Sequence, residues 1–328
     1  MTIGIPRALL YYRYGTLWET FFHELGHKTV LSPQTNKKIL DEGDRLAIDE
    51  CCLSSKLFLG HIAALQGHCD AVFVPRIANF GENGILCSRF EALYDVARAT
   101  FRETDLTFLT CNVDVQQHAL PRDAYTKLGQ RLGHTKQAAV QAYNDGLKAQ
   151  AEAMQQRGGE TQQLLSADGT RILVVGRSYN LHDAYIGQPI MQIIRDLDAV
   201  AVPADGVDPR RARKASYDIC DDVPWMLSRE LLGAISLFRD QIDGIVLITA
   251  FPCGPDSMVN EMIIRRVRDK PILNLLLDAQ DGTAGVETRL ESFVDIIRFR
   301  KGARGQEVYR PGASDPGVHD VKGADAHA

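Results

Sequence analysis

Gly244-Ile-Val-Leu-Ile-Thr-Ala-Phe-Pro-Cys-Gly-Pro-Asp-Ser257 decides the fold. Gly244 to Thr249 is an unbroken apolar run of strand length, the composition of a strand covered on both faces, as in parallel sheets. The Pro-Cys-Gly-Pro turn then breaks it, and a helical pattern follows from Met258 to Arg268. A buried strand feeding a helix is half of a βαβ unit. The run Ile245 to Phe251 is also far short of the roughly 20 apolar residues that a membrane-spanning helix needs.

The same alternation continues outward. Strands are expected at Arg171-Ile-Leu-Val-Val-Gly176, Ala199 to Val202 and Ile272 to Leu277, with helices at Pro189 to Asp196, Val223 to Arg239 and Gly285 to Arg300. In the first third, short apolar runs at Ile3 to Ile5, Thr29 to Leu31, Ala71 to Val74 and Leu106 to Leu109 read as strands. Leu17 to Leu25, Lys56 to Leu65 and Arg89 to Ala99 carry apolar residues at three- and four-residue spacing, as one face of a helix does. The fold class is therefore α/β, with two doubly wound, Rossmann-like parallel-sheet domains. The first is expected over 1–120 and the second over 166–300. Between them, 121–165 reads as a polar helical connection with a linker at Arg157-Gly-Gly-Glu160, and 301–328 as a disordered tail too poor in apolar residues to fold. A length of 328 residues fits two domains of about 150 each.

Composition narrows the function. With 45% hydrophobic and 24% charged residues the chain is globular. A net charge of −5 lacks the basic footprint of a nucleic-acid binder. No signal peptide is read at the N-terminus, so a cytoplasmic location is expected. Seven cysteines, an odd number without a CxxC pair, do not describe a disulfide framework. No phosphate-binding loop is present, so ATP hydrolysis by this chain is not expected.

His23-Glu-Leu-Gly-His27 has the HExxH form of zinc peptidases. Gly26 reads as the residue that ends the helix, which takes His27 off the face that His23 occupies, and no third ligand follows at a recognisable spacing. The string is read as a chance match.

The cysteines speak through their positions. Cys52, Cys87 and Cys253 each sit where a loop enters a helix. Loops at the carboxyl ends of strands line the crevice of a doubly wound sheet, and a helix N-terminus favours a thiolate. Iron–sulfur ligands need such thiolates, and small buried hydrophobes would occupy the same places equally well. Cys111, at the end of the strand Leu106 to Leu109, is a fourth candidate. Cys69 and Cys220 fit the buried reading, and Cys51 adjoins Cys52 too closely for both to reach one metal.

Six blocks together resemble a known family. Ile3-Gly-Ile-Pro-Arg-Ala-Leu-Leu-Tyr-Tyr12, Ser32-Pro-Gln-Thr-Asn-Lys-Lys38, Asp49-Glu-Cys-Cys-Leu53, Phe73-Val-Pro-Arg76, Ile85-Leu-Cys-Ser88 and Phe251-Pro-Cys-Gly-Pro-Asp-Ser257 look like the uncharacterised CoA-enzyme-activase-associated family. That family is itself similar to the iron–sulfur subunits of 2-hydroxyacyl-CoA dehydratases, of the 2-hydroxyglutaryl-CoA dehydratase component D type. The resemblance extends from Ile3 to about Phe299.

It implies two α/β domains facing each other across a cleft, with an iron–sulfur cluster between them. Cys52, Cys87 and Cys253 would be its ligands, in a 4Fe–4S cluster or a larger double cluster. Ser54 and Ser88 stand where the family usually has proline. Whether Cys111 supplies a fourth thiolate is open: three would leave one iron accessible to a substrate, whereas four would make an electron carrier. The resemblance further implies a redox protein receiving low-potential electrons from a separate ATP-dependent activase. It would use them on a small substrate, as a dehydratase- or reductase-like component, or pass them on to a dehydratase subunit. An acyl-CoA is the implied substrate type. The alternative is a cluster-free binding or scaffold protein that assembles with an activase and a dehydratase.

Arg7, Asn36, Lys56, Arg76, Tyr179, Asn180, Asp183 and Asp256 lie in or near these blocks, mostly in loops on the crevice side. Arg7, Lys56 and Arg76 would offset a cluster's negative charge or hold an anion, or else bridge the two domains.

Overall fold

The computed structural model describes residues 1–82, 84–279 and 284–307. In chain order the first half runs β1 (Thr2–Ile5), α1 (Tyr11–Glu24), β2 (Lys28–Leu31), α2 (Lys37–Leu46), α3 (Leu53–Ala63), β3 (Ala71–Phe73), β4 (Arg76–Asn79), α4 (Ser88–Thr100), β5 (Phe108–Leu109), β6 (Asn112–Asp114) and α5 (Pro121–Arg131). Helix α6 (Lys136–Leu165) leads into β7 (Thr170–Val175), α7 (Ser178–Leu181), α8 (Gly187–Asp196), β8 (Ala199–Pro203), α9 (Pro209–Ala215), α10 (Met226–Phe238), β9 (Gly244–Ala250), α11 (Gly254–Arg266), β10 (Ile272–Leu277) and α12 (Ala284–Glu307).

Two parallel sheets result, ordered β2-β1-β3-β5 and β10-β9-β7-β8. The winding is the same in both. The second strand pairs on one side of the first, the third on the other, so the order reverses between β1 and β3 and again between β7 and β9. Such a reversal opens a crevice at the carboxyl ends of the strands. Strands β4 and β6 form a separate parallel pair.

The apolar run that defines β9 is buried at every residue. Val246 and Ile248 pack on one face with Ile172, Val174 and, from α12, Leu290 and Phe293. Ile245 and Leu247 pack on the other with α10 and α11 through Leu232, Ile235 and Ile263. Cover on both faces is why the strand shows no polar alternation. In the first sheet Phe21 and Phe22 of α1 bury against Ile3, Ile5 and Phe73, with the Phe22 and Phe73 rings 5.0 Å apart edge to face.

Helices α2 and α3 join the halves. Ile39, Leu40, Leu53 and Leu57 belong to the core of the second sheet although they come from the first half of the chain. The two helices touch backbone to backbone: a β-carbon on Gly43 would lie 2.0 Å from the Lys56 carbonyl oxygen, and one on Gly60 2.0 Å from that of Ile39.

Local departures from the sequence reading have physical causes. Helix α6 runs straight through Arg157 to Glu160, where a linker is expected, because Gly158 and Gly206 serve close packing. A β-carbon on Gly158 would stand 3.3 Å from the Gly206 carbonyl oxygen, and one on Gly206 1.8 Å from Thr161 Oγ1. Tertiary packing here outweighs the roughly 1 kcal/mol that each glycine costs a helix. Helix α2 and the pair β4 and β6 are additional elements. Helix α12 continues past Lys301 to Glu307, and the remainder of the expected tail, 308–328, lies outside the described residues. No helix among the described residues is long and apolar enough to cross a membrane.

Candidate functional site

Cys52, Cys87 and Cys253 are the N-cap residues of α3, α4 and α11, each with extended backbone and no side-chain cap hydrogen bond. Serine, threonine, aspartate or asparagine normally takes that position because its oxygen accepts from the helix N–H groups, whereas a thiol is a weak acceptor. The three thiols line one cavity of about 30 Å3 at the junction of the two sheets, together with Arg89, Arg177 and Tyr179.

Two backbone bonds hold these loops in register. The N–H of Leu53 donates to the Phe251 carbonyl at 2.9 Å, joining the Cys52 and Cys253 loops. The N–H of Met226 donates to the Ile85 carbonyl at 2.8 Å, fastening the Cys87 loop to the second half of the chain. Arg89, in the first turn of α4, reaches back to the Cys51 sulfur at 3.3 Å and the Glu50 carbonyl at 2.9 Å.

Arg177 follows β7 at the point where the strand order reverses. Its Nε donates to Asp256 Oδ1 at 2.8 Å and its Nη2 to Ser228 Oγ at 2.8 Å, with the Arg177 and Asp256 side chains each only 6% exposed. Burial opposes the charge on Arg177, but Asp256 outweighs it and holds the guanidinium protonated. Burial, seconded by Asp256, pushes the Cys253 thiol up to about 12, and Arg177 opposes this only in part. Unless something replaces its proton, Cys253 is therefore a thiol at neutral pH, against the helix-terminus expectation of a thiolate. Burial likewise raises the Tyr179 phenol. The cavity has the volume of about one water molecule, and among the described residues no trio of His, Cys, Asp or Glu stands in metal-holding geometry.

Cys111 is not with the other three. It is buried between β5 and β6 and lines a separate cavity with Thr110, Lys127 and Arg131. Burial pushes its thiol up to about 12, and Tyr125 lies against it. Cys69 lies against the Leu65 carbonyl at 3.5 Å, and Cys220 is buried 3.8 Å from the Met262 sulfur.

The cations named from the sequence serve local roles and do not line the cysteine cavity. Lys56 pairs with Asp44 at 2.6 Å, Arg76 pairs with Asp95 and lies over the Tyr94 ring, and Arg7 donates to Ser32. Asn36 caps α2 by accepting from the Ile39 N–H at 3.1 Å. Asn180 accepts from Ser54 at 2.8 Å, and Asp183 from Tyr12 at 3.3 Å and from Thr35, so both stitch the two halves together. Arg89 and Arg177 take the place at the cavity that the sequence reading gives to Lys56 and Arg76. The available signal for Arg177 was its position directly after the strand ending at Val175 and Gly176.

The HExxH string is no zinc site. Helix α1 stops at Glu24, Gly26 is left-handed at φ +74°, and His23 is 85% exposed in its side chain. The ring of His27 turns instead to His134, Nε2 to Nε2 at 3.1 Å.

Fold and site together define a class: a doubly wound α/β protein of two parallel sheets with three helix-capping cysteines at their junction. Residues 2–207 match the family described as the CoA enzyme activase uncharacterised domain, and the chain belongs to that family. No curated protein matches the chain. Among solved structures, the SBP FpvC from P. aeruginosa in complex with Ni2+ overlaps at 13% identity and TM-score 0.26, covering 92% of this chain and 97% of that one. ZnuA overlaps at 12% and 0.25, covering 90% and 97%. FpvC with Mn2+ overlaps at 12% and 0.26, covering 92% and 99%. Overlaps this weak carry no argument about function.

Proposed function

We propose that this chain is an iron–sulfur redox protein of the 2-hydroxyacyl-CoA dehydratase and activase type, with Cys52, Cys87 and Cys253 as the ligands of a 4Fe–4S cluster. The convergence of these three thiols on one cavity from three different helix starts carries the reading. The donor set suits the group, because thiolates are what iron–sulfur clusters require. A cavity of about 30 Å3 means that the loops must part to admit it. When bound, the cluster supplies one-electron transfer. The chain's own part is to hold the three thiolates, with the fixed positive charge of Arg177 beside Cys253 and Tyr179 closing the wall. Cys253, protonated when free, would release its proton to solvent as it took up iron, as coordinating thiols do.

Membership of a CoA enzyme activase family, together with the absence of a phosphate-binding loop in this chain, supports an ATP-dependent activase as electron donor. The tightness of the cavity favours one rival, a cluster-free binding or scaffold protein that assembles with an activase and a dehydratase. Anaerobic reconstitution followed by EPR separates the two. The proposed reading expects a brown protein whose cluster is reduced by a mild donor only when activase and ATP are both present. A colourless, iron-free product supports the rival, and full reduction by the mild donor alone removes the activase from the account.

A further inference from the structure

A second, larger cavity of about 640 Å3 adjoins the cysteine pocket. It lies between the start of α1, the middle of α6 and the loops and helices after β7 and β8, and it shares Arg177, Tyr179 and Leu227 with the smaller cavity. Its volume is that of a pocket for an organic ligand, far more than a water or a simple ion needs.

Its charges are unequal. Arg13, Arg157, Arg177, Arg210 and Arg213 line it, against Asp205, Asp208 and Glu230. The carboxylates are already committed. Glu230 is shared by two guanidiniums, Arg13 at 2.6 and 3.0 Å and Arg213. Asp205 is shared by Arg157 at 3.3 Å and His182 at 2.9 Å. Asp208 caps α9 by accepting from the Arg211 N–H at 2.8 Å. Arg177 has its own partner, Asp256, and among the described residues no carboxylate pairs with Arg210. Arg210 and Arg213 are three residues apart on α9 and so share one face. Leu10, Phe80, Met154 and Met226 also line the cavity and give it an apolar wall.

We infer that this cleft binds an organic anion, a carboxylate or a phosphate ester carried on an apolar body. Arg210 and Arg213 take the anionic end, and the apolar wall takes the rest. Guanidinium groups suit both anions because their paired N–H donors match two acceptor oxygens. The site does not depend on a cluster, although the shared Arg177 and Tyr179 would place the bound anion beside the cysteines.

The test uses the full chain, free of metal, with benzoate, phenyl phosphate and neutral benzamide as probes in saturation-transfer NMR and calorimetry. At least one anion should bind at millimolar concentration or below while benzamide does not. Which anion binds tells carboxylate from phosphate recognition. The variant Arg210→Gln/Arg213→Gln should weaken that binding roughly tenfold or more, as loss of charge-assisted hydrogen bonds does. Arg210→Gln alone, a change at an exposed position, should weaken it in the same direction. Arg195→Gln, exposed on α8, should leave it unchanged. Failure of both anions to bind, equal binding of benzamide, or unchanged affinity in the double variant overturns the inference.

Discussion

The backbone N–H of Leu53 lies 2.9 Å from the carbonyl oxygen of Phe251. One residue before Leu53 is Cys52, and two after Phe251 is Cys253, so a single main-chain hydrogen bond sets the spacing of two thiols from opposite halves of the chain. The thiols are close enough that charge on Cys52 would raise the Cys253 pKa further. Assembly of the site therefore depends on how α3 is held as much as on the cysteines themselves.

Gly60→Ala tests that dependence. The added methyl would meet the Ile39 carbonyl oxygen and the Gly43 backbone, neither of which can rotate away. Overpacking of this kind costs about 1–3 kcal/mol. The urea midpoint should fall accordingly, whereas Gly26→Ala, where nothing lies within 4 Å, is strained only by its own φ of +74°. Full stability in Gly60→Ala would mean that α2 and α3 separate without penalty.

Arg177 and Asp256 form a buried pair beside Cys253, so removing one partner leaves the other charge uncompensated. Arg177→Gln should destabilise the protein by about 3–5 kcal/mol, the usual cost of breaking a buried ion pair. Arg177→Gln/Asp256→Asn should recover part of that loss. Additive losses in the double variant, read from denaturant unfolding, would show that the two side chains act independently.

His61 is wholly buried, with Nδ1 2.8 Å from Ser32 Oγ and Nε2 3.0 Å from Thr35 Oγ1. Burial, aided by the charge on Arg7, holds its pKa down to about 4. As the pH falls, the unfolded chain takes up the proton near 6.5 and the folded chain only near 4, so the neutral ring's contribution is complete above about 6.5 and is lost towards 4. The difference amounts to about 3 kcal/mol. Urea midpoints measured across that window should fall more steeply in wild type than in His61→Gln, and parallel curves would contradict the assignment.

Much of this architecture was readable from periodicity. Apolar runs marked β7, β8 and β9 because most of their residues are buried between helices. By contrast β10, an edge strand with only Leu275 buried, was marked by its leucines despite Asn274. The winding follows from the alternation of strands with helical patterns. Helix α2 was hidden because its first residues, Lys37 and Lys38, are charged and its apolar contacts, Ile39 and Leu40, lie in the core of the other half. The Arg157 to Glu160 stretch reads as a break because glycine's reason for being there, the approach of Gly206, exists only in three dimensions.

The site was partly legible for the same reasons. The helix-entry positions of Cys52, Cys87 and Cys253 are local features, visible from the pattern. Their meeting in one cavity, and the separation of Cys111 from it, depend on how the sheets pack. Lys56 and Arg76 read as site cations because nothing in the linear sequence pairs them with Asp44 and Asp95.

The most direct test of the central claim is iron and acid-labile sulfide per chain after strictly anaerobic reconstitution. Wild type should hold about four of each, as a 4Fe–4S cluster requires. Cys52→Ala, Cys87→Ala and Cys253→Ala should each lose most of it while keeping their circular dichroism, and Cys69→Ala, Cys220→Ala and Cys111→Ala should retain it. Equal iron in all six variants, or none in the wild type, would contradict the account.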